Sequence, residues 1–518
     1  MAGEPQANVW DVIVIGAGIA GAATAYRLLE RDPALRILIL DRANHSDKKI
    51  GESTVEVSSY FLGRTLNLSG YLSTQHVTKQ GLRFWFSNEE CETLDDCSEI
   101  GPTYHVNIPA YQVDRAALDE EVLHRAESLG ATVLRPARVR SVELNPGEMH
   151  VVHVQTDFED TSHTARWVVD ASGPACVLAR QGCWIEPLRQ HRTSSIWLRF
   201  EHVLNFDDAQ LRMRYPKYSK RCHGSRNTAT NHITGDGWWS WWILLKSGEM
   251  SVGVVYDERI VTFPEKIGSM EERLLWLLNS NPLARELLSD AKVVRGSKAY
   301  RGKLPYLSSS LAGDGYVLVG DAAGFLDPFY SPRMDWIAYT TGAAVDLIDR
   351  EGEPGEAIKR MNSVYTRSYY RWFEALYENK YLYLGDYDLM RMAMLLDMGG
   401  YYFGVLRPLY QNGSPEYLKP VFGRLSTTVP FWIIRCYNRR LAKMAASRRR
   451  RGVFGLNNKG KAEQLMSYTL NWRLPLRITW NLRIWLWLEV KEGWRTWFRE
   501  MGKIVPARNL KPKTPASG

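Results

Sequence analysis

Trp10-Asp11-Val12-Ile13-Val14-Ile15-Gly16-Ala17-Gly18-Ile19-Ala20-Gly21-Ala22-Ala23-Thr24-Ala25 is an apolar run that drops into Gly-x-Gly-x-x-Gly and then into a helix-forming segment. The pattern predicts strand, tight turn and helix. Gly16 permits the turn, Gly18 lets the backbone approach a pyrophosphate, and Gly21 lets the helix pack on the strand with its first amides facing the anion. A second apolar strand, Arg36 to Leu40, ends on Asp41-Arg42, about 20 residues past the last glycine. A carboxylate there accepts hydrogen bonds from a ribose diol. The fold expected is therefore α/β, opening with a Rossmann-like βαβ unit that binds a dinucleotide.

The chain is long enough, at 518 residues, for two or three domains. Its 45% hydrophobic and 24% charged content is that of a soluble globular protein, but 19 Trp and 26 Tyr exceed what packing requires. Aromatic surfaces of that extent suit planar cofactors, planar substrates or interfaces. The six cysteines are scattered with no Cys-x-x-Cys, which supports neither a zinc site nor a disulfide framework. The polar start of the chain has no secretory pattern, and no apolar run reaches membrane-spanning length, so a cytoplasmic protein is expected. The net charge of +9 is uneven: residues 431–518 carry +16 and the rest −7. A basic, Trp-rich tail on an acidic body meets something anionic, or is an aromatic core with a solvated basic face.

Further along, Gly51-Glu52-Ser53-Thr54 reads as a loop over the nucleotide, and Lys79-Gln80-Gly81 precedes a strand at Leu82 to Phe86. From pattern alone Lys79 is a surface lysine. Asp114 caps a helix that begins at Arg115 and ends near Gly130, and Arg166 to Gly173 returns the chain to the nucleotide sheet. Residues from about 185 to 300 leave for an inserted antiparallel sheet. Its hairpin carries Trp238-Trp239-Ser240-Trp241-Trp242, whose alternation puts indoles on both faces. Tyr316 to Gly324 is strand, turn and helix start once more. Two units are expected: 1–350 with the insertion, and a mainly helical, basic 351–518, in which Trp480, Ile484 and Trp487 share a stripe beside Arg483, Lys491, Arg495 and Arg499.

Together, Gly16 to Gly21, Asp114-Arg115 and Gly320-Asp321 resemble the FAD-binding set of the para-hydroxybenzoate-hydroxylase-like flavoproteins. Within that class the chain is similar to the flavin-dependent halogenases. Trp239-Ser240-Trp241-Trp242-Ile243-Leu244 resembles their Trp-x-Trp-x-Ile-Pro signature, with Leu244 in place of proline. Lys79-Gln80-Gly81 matches their catalytic lysine, Gly51 to Thr54 their flavin-flanking loop, and Leu326-Asp327-Pro328-Phe329-Tyr330-Ser331 the helix entrance that holds halide. The resemblance implies that Arg115 faces the pyrophosphate and Gly320-Asp321 the ribityl chain. It implies that FADH2, oxygen and chloride or bromide yield hypohalous acid, that Trp239 and Trp241 with Pro328, Ser331, Pro332 and Arg333 form the halide and flavin wall, and that Lys79 presents the halogen to an aromatic ring. Tyr330 stands where the tryptophan-halogenase branch has glutamate, which favours a phenol, resorcinol or pyrrole, free or carrier-tethered, over free tryptophan. Arg333 replaces the family's glycine and either charges or blocks the halide pocket.

Since there is no second dinucleotide fingerprint, FADH2 is expected from a separate flavin reductase. For residues 431–518 an acyl carrier protein or an anionic membrane surface is the expected partner, ahead of nucleic acid. The alternatives are an FAD-dependent hydroxylase, which Leu244 and Arg333 favour, and a flavoprotein that has lost its chemistry and binds a carrier or membrane.

Overall fold

The computed structural model describes residues 8–350, 352–413, 419–464 and 474–498. The strand Val9–Ile15 lies near the middle of the first sheet, parallel both to Asp160–Asp170 and to Ile37–Leu40; Tyr316–Leu318 and Thr132–Leu134 extend it on the two sides. Val12 to Ile15 and Ile37 to Leu40 are buried, as continuous apolar runs must be in a parallel sheet covered on both faces. Gly16 has φ +107°, and a Cβ there would sit 2.5 Å from the Ala171 carbonyl oxygen. At Gly21 a Cβ would lie 2.0 Å from the Gly16 oxygen, so the helix Ile19–Arg31 can close on the turn only with glycine at this point.

A second sheet of nine strands runs Lys292–Val293, Thr193–Glu201, Met250–Asp257, Trp238–Leu244, Thr230–Gly235, Leu82–Phe86, Ser98–Gly101 and Ala462–Gln464, with Ala299–Gly302 also on Thr193–Glu201. It therefore draws strands from 82–101 and from 462–464 as well as from the stretch expected at 185–300. The hairpin pairs Trp238 with Tyr256 and Leu244 with Met250. Trp239 and Trp241 join the core shared with the nucleotide unit, whereas Trp238 and Trp242 join a separate cluster on the far face. Both faces are packed, so four indoles in five residues are accommodated by alternation alone.

Where the sequence suggested a helix directly after Tyr316–Leu318, Gly320–Ala322 forms a short 3-10 turn, Gly324–Phe325 pairs with Tyr306–Ser308, and the helix begins only at Arg333. Pro328 and Pro332 account for the delay, because neither supplies the N–H that helix propagation needs. Helices Gly355–Trp372, Tyr387–Tyr401, Thr428–Arg450 and Leu474–Lys491 complete the described chain. The run Arg448 to Arg451 is largely consumed internally: Arg448 binds Asp386 (2.6 Å) and Glu492, Arg449 binds Asp236, and Arg451 reaches Glu492 (3.2 Å). Arg499 lies outside the described residues. Among the described residues no helix is long and apolar enough to cross a membrane.

Candidate active site

Four elements bring charge to the nucleotide crevice. The helix Ile19–Arg31 starts at Gly18 with no side-chain cap and no acid in its first turn, which leaves its positive end available to an anion. Asp41, at the end of Ile37–Leu40, accepts hydrogen bonds from the amides of Ala17 (2.7 Å) and Ala43 (2.9 Å), drawing the strand end against the glycine turn; Arg42 beside it is exposed. The Asp114 carboxylate caps Arg115–Ser128 through the Ala116 amide (2.9 Å). This fixes the buried Arg115, whose guanidinium donates to Asp119 at 2.9 and 3.2 Å and reaches the Ile50 carbonyl at 3.4 Å. Lys49 pairs with the same Asp119 (2.8 Å).

From the opposite side Arg333 donates to Asp321 through Nε (3.0 Å), places Nη2 2.8 Å from the other carboxylate oxygen, and gives Nη1 to the Ile50 carbonyl (2.8 Å). With Arg301 3.7 Å from Asp321, four cations thus face the carboxylates of Asp119 and Asp321, a net positive surface beside a helix N-terminus. These residues fit the diphosphate and ribityl parts of FAD. Arg333, which the sequence associates with halide, directs its side chain to this crevice.

Glu52 is the loop's anchor. It is fully buried, accepts from Arg199 (2.6 Å) and from the Ser251 hydroxyl, and is pushed up to about 7 by burial, against the pull of Arg199. Arg199 also binds Asp114 (3.1 Å) and Glu249 (2.8 Å), so the loop, the cap of the Arg115 helix and the second sheet are tied to one guanidinium.

The turn Asp327 to Ser331 carries left-handed backbone at two successive non-glycine residues, Tyr330 (φ +66°) and Ser331 (φ +57°). Such strain needs support from its surroundings. Tyr381 supplies part, donating to the Asp327 carboxylate (2.9 Å) and accepting from the Trp239 indole (3.0 Å). Phe329 packs edge-on against Trp239 (5.1 Å between centroids), and His232 stacks between Phe84 and Trp239. Burial, reinforced by Lys79, lowers His232 to about 3 and keeps the ring neutral. The Trp241 indole donates weakly to Ser251 (3.4 Å), the partner of Glu52. Trp239 and Trp241 thus brace the turn and the loop from behind.

Two spaces flank this turn. A cleft of about 10 Å³, room for one small ion or water, lies between Asp321, Asp327, Pro332, Arg333 and Trp336. A cavity of about 110 Å³ is lined by Lys79, Glu56, Asp335, Tyr330, Tyr377 and Tyr401, among others. Pro332 borders both. Pro332 thus lies where the Asp321 side and the lysine side meet.

Lys79 ends the strand Val77–Lys79, which pairs with Ala110–Gln112. Only 2% exposed, it donates from Nζ to the Ser53 hydroxyl and the Thr54 carbonyl, both at 2.8 Å. An ammonium has three N–H groups, so these two bonds fix its direction and leave one for the cavity. Burial pushes its pKa down to about 8, and Glu56 and Asp335 oppose the fall. Asp335 is 3% exposed, with Oδ1 lacking a hydrogen-bond partner; burial pushes it up to about 8. Glu56 accepts from the Tyr402 hydroxyl at 2.8 Å. The sequence reading missed both acids. The usable signal at 335 was one carboxylate inside the apolar run Met334 to Tyr339, all of it buried.

A dinucleotide crevice, and Pro332 between the cleft at Asp321 and a cavity bearing a buried lysine, fit a flavoprotein of the halogenase type. Residues 97–378, more than half of the chain, match the tryptophan halogenase family, and residues 11–54 match the FAD dependent oxidoreductases. The chain belongs to the tryptophan halogenase family, whose members are flavin-dependent. It is 26% identical over 471 residues to flavin-dependent halogenase chlA of Dictyostelium discoideum, covering 81% of this chain and 74% of that one. The 1H-pyrrole-2-carbonyl-[peptidyl-carrier protein] chlorinase of Pseudomonas fluorescens is 23% identical over 393 residues, covering 71% and 80%. Of several other halogenases the chain spans about three fifths. Among solved structures, halogenase PltM in complex with phloroglucinol and FAD superposes with a TM-score of 0.68 at 20% identity, covering 87% of this chain and 94% of that one, which shows the shared fold.

Proposed function

We propose that this chain halogenates a single-ring, electron-rich aromatic, a phenol or resorcinol foremost and a pyrrole next, with hypohalous acid that passes from the flavin cleft to Lys79. The observation that carries the reading is a buried lysine with two donors fixed and one free, facing a cavity that shares only Pro332 with the cleft beside Asp321. A cavity of about 150 Å³ holds benzene, so 110 Å³ is on the scale of one ring. Tyr377, Tyr401 and Trp372 give that ring apolar walls. The phloroglucinol in complex with PltM and the carrier-bound pyrrole of the chlorinase are single rings, and tethered delivery remains within the same reading.

Bound and reduced, FAD supplies the activated oxygen that oxidises chloride or bromide. Arg115, Arg333 and the first turn of Ile19–Arg31 hold its phosphates, Asp41 a ribose, and Asp321 the ribityl chain. Lys79 then hydrogen-bonds the oxygen of hypohalous acid. As the halogen bonds to ring carbon and the O–X bond breaks, the leaving hydroxide takes a proton from Nζ and departs as water. The ring proton goes to Glu56, and the acid pair Glu56 and Asp335 returns a proton to Lys79. The sum is ArH and HOX giving ArX and water. Reduced FAD comes from a separate flavin reductase.

Incubation with a reductase, NADH, FAD, bromide and resorcinol tests the reading through the product's bromine isotope pattern. A second reading, hydroxylation, is favoured by one feature: Pro332 brings no amide donor to a cleft bordered by two carboxylates. A product gaining one oxygen, at a rate indifferent to bromide, would replace the first reading with the second.

A further inference from the structure

The helix Leu474–Lys491 buries Leu488 in the core, with Leu482, Ile484 and Trp485 partly buried beside it, and turns a second apolar stripe to solvent. It packs on Tyr387–Tyr401 and is tied to Thr428–Arg450 by polar side chains that also point inward: Asn481 donates to the Leu395 carbonyl (3.0 Å), and Glu489, 8% exposed, receives Arg440 at 2.9 and 2.7 Å and the Trp497 indole at 3.1 Å. Outward it and the following turn present Leu476, Trp480, Leu486, Trp487, Val490, Trp494, Trp497 and Phe498, every one more than half exposed. Thr428–Arg450 adds Val429, Trp432 and Ile433. A helix facing water is polar on its outer side, and an apolar surface of this extent marks an interaction site.

Along the helix Leu474–Lys491 and its following turn the exposed charge that is described has one sign. Among the described side chains between 476 and 498 the exposed charged ones are Arg483, Lys491 and Arg495, while Glu489 and Glu492 are turned inward onto Arg440, Arg448 and Arg451. The cations lie against the rings: Lys491 over Trp487 (4.8 Å), Arg495 over Trp494 (5.3 Å) and Arg435 over Trp432 (5.0 Å). Arg beside Trp also suits a protein interface, but a second copy of this face would bring cation against cation. A layer that is apolar below and anionic above meets both features, since indoles settle at headgroup depth and Lys or Arg side chains reach the phosphates.

We infer that the Trp480, Trp487, Trp494 and Trp432 face docks this protein on an anionic lipid surface, lying on the bilayer without crossing it. The lipid face is one helix away from the lysine cavity, because Tyr387–Tyr401 lends Asp397, Met398 and Tyr401 to the cavity and the Leu395 carbonyl to the docking helix.

Flotation of the full chain with phosphatidylglycerol–phosphatidylcholine vesicles, and with phosphatidylcholine alone, tests this without reference to turnover. The expected result is flotation with anionic vesicles, reduced at high salt, together with quenching of tryptophan fluorescence by brominated lipid. Trp480→Ser, Trp487→Ser and Trp494→Ser combined should lower the partition at least tenfold. Arg483→Glu, Lys491→Glu and Arg495→Glu combined should abolish the preference for anionic lipid, and both variants should keep wild-type far-UV dichroism and FAD binding. Failure to float with anionic vesicles overturns the inference. So does undiminished flotation of the tryptophan variant, or a dimer in light scattering that the same variant dissolves, which would make a second copy the occupant.

Discussion

Replacing Lys79 with methionine separates what the lysine does for chemistry from what it costs the fold. In the folded protein its pKa is about 8 against 10.5 for a free lysine, a shift of about 2.5 units, or about 3 kcal/mol of burial cost carried by the charged form. The sign follows from the direction. A lowered pKa means that the folded state binds its proton less tightly than the unfolded chain, so this cost is present below pH 8 and fades as pH rises from 8 to 10.5. Methionine fills similar space without the charge and recovers that amount at neutral pH. Against this, the Thr54 carbonyl loses its donor, at about 1–3 kcal/mol, while the Ser53 hydroxyl keeps Thr230 at 3.0 Å. The two effects nearly cancel, and K79M should lie within about 2 kcal/mol of the parent in a urea melt at pH 7.

Activity should part company with stability. Loss of a positioned proton donor costs roughly 10²–10⁴-fold, and the loss should fall on the aromatic product alone, because the flavin crevice lies across Pro332 from the lysine. With reductase, NADH, FAD and bromide, K79M should still release hypobromous acid to a trapping dione while brominating resorcinol at under one hundredth of the parent rate. In the parent, the rate should decline above pH 8 as Nζ loses its proton. Bromination by K79M within tenfold of the parent, or the loss of trapped hypobromous acid along with the product, would refute the assignment of Lys79 to the substrate side.

Asp335→Asn removes a carboxyl whose folded pKa is raised from 3.8 to about 8; its stabilising contribution is complete below pH 3.8 and is lost as pH rises through 8. The parent should therefore lose more stability than D335N between pH 5 and pH 7.5, measured by urea melts at both. Arg333→Gln removes the guanidinium contacts to Asp321 and Ile50 and should weaken FAD binding by about 1.5–3 kcal/mol, roughly 10- to 150-fold in Kd by flavin fluorescence titration. Unchanged FAD affinity would return Arg333 to the halide. Arg199→Met leaves Glu52 buried without its cation and should destabilise the chain by about 3–5 kcal/mol, seen as a lowered midpoint in thermal melts. An unshifted midpoint would mean that Glu52 is held protonated and needs no partner.

The sequence speaks clearly where structure is local. Gly16 to Gly21 and Asp41 are close in the chain, the geometry the glycines require excludes other residues, and the strand, turn and helix they form are those the motif describes. Asp114 as a cap and the Trp238 hairpin are equally short-range, and both appear as written. What stayed hidden depends on contacts hundreds of residues apart. The cavity around Lys79 is closed by Tyr377, Asp397 and Tyr401 from the C-terminal helices. The strand Ala462–Gln464 joins a sheet whose other members precede residue 303. No periodicity in either segment announces its partner. The basic tail misled for the same reason: Arg448, Arg449 and Arg451 look like a solvated run in sequence but meet acids at 386, 236 and 492. The charge left facing outward is nearer the tryptophans of Leu474–Lys491, the stripe the sequence did display.

Arg333 shows how a departure from a family pattern can be absorbed by moving a role. In sequence it occupies a position where a side chain would intrude on a small anion pocket. The turn before it is wound through two left-handed residues, and the Arg333 side chain donates to the Asp321 carboxylate and the Ile50 carbonyl and does not line the Lys79 cavity. The cleft beside Pro332 keeps its opening, and the flavin crevice gains a second guanidinium opposite Arg115. On the proposed assignment, FAD retention and halide access depend on the same turn. Relaxing it, for instance by Tyr381→Phe, which removes the hydroxyl bonded to Asp327 and Trp239, should weaken FAD binding and raise the bromide KM together. A variant that moved one of these without the other would show the two sites to be independently built.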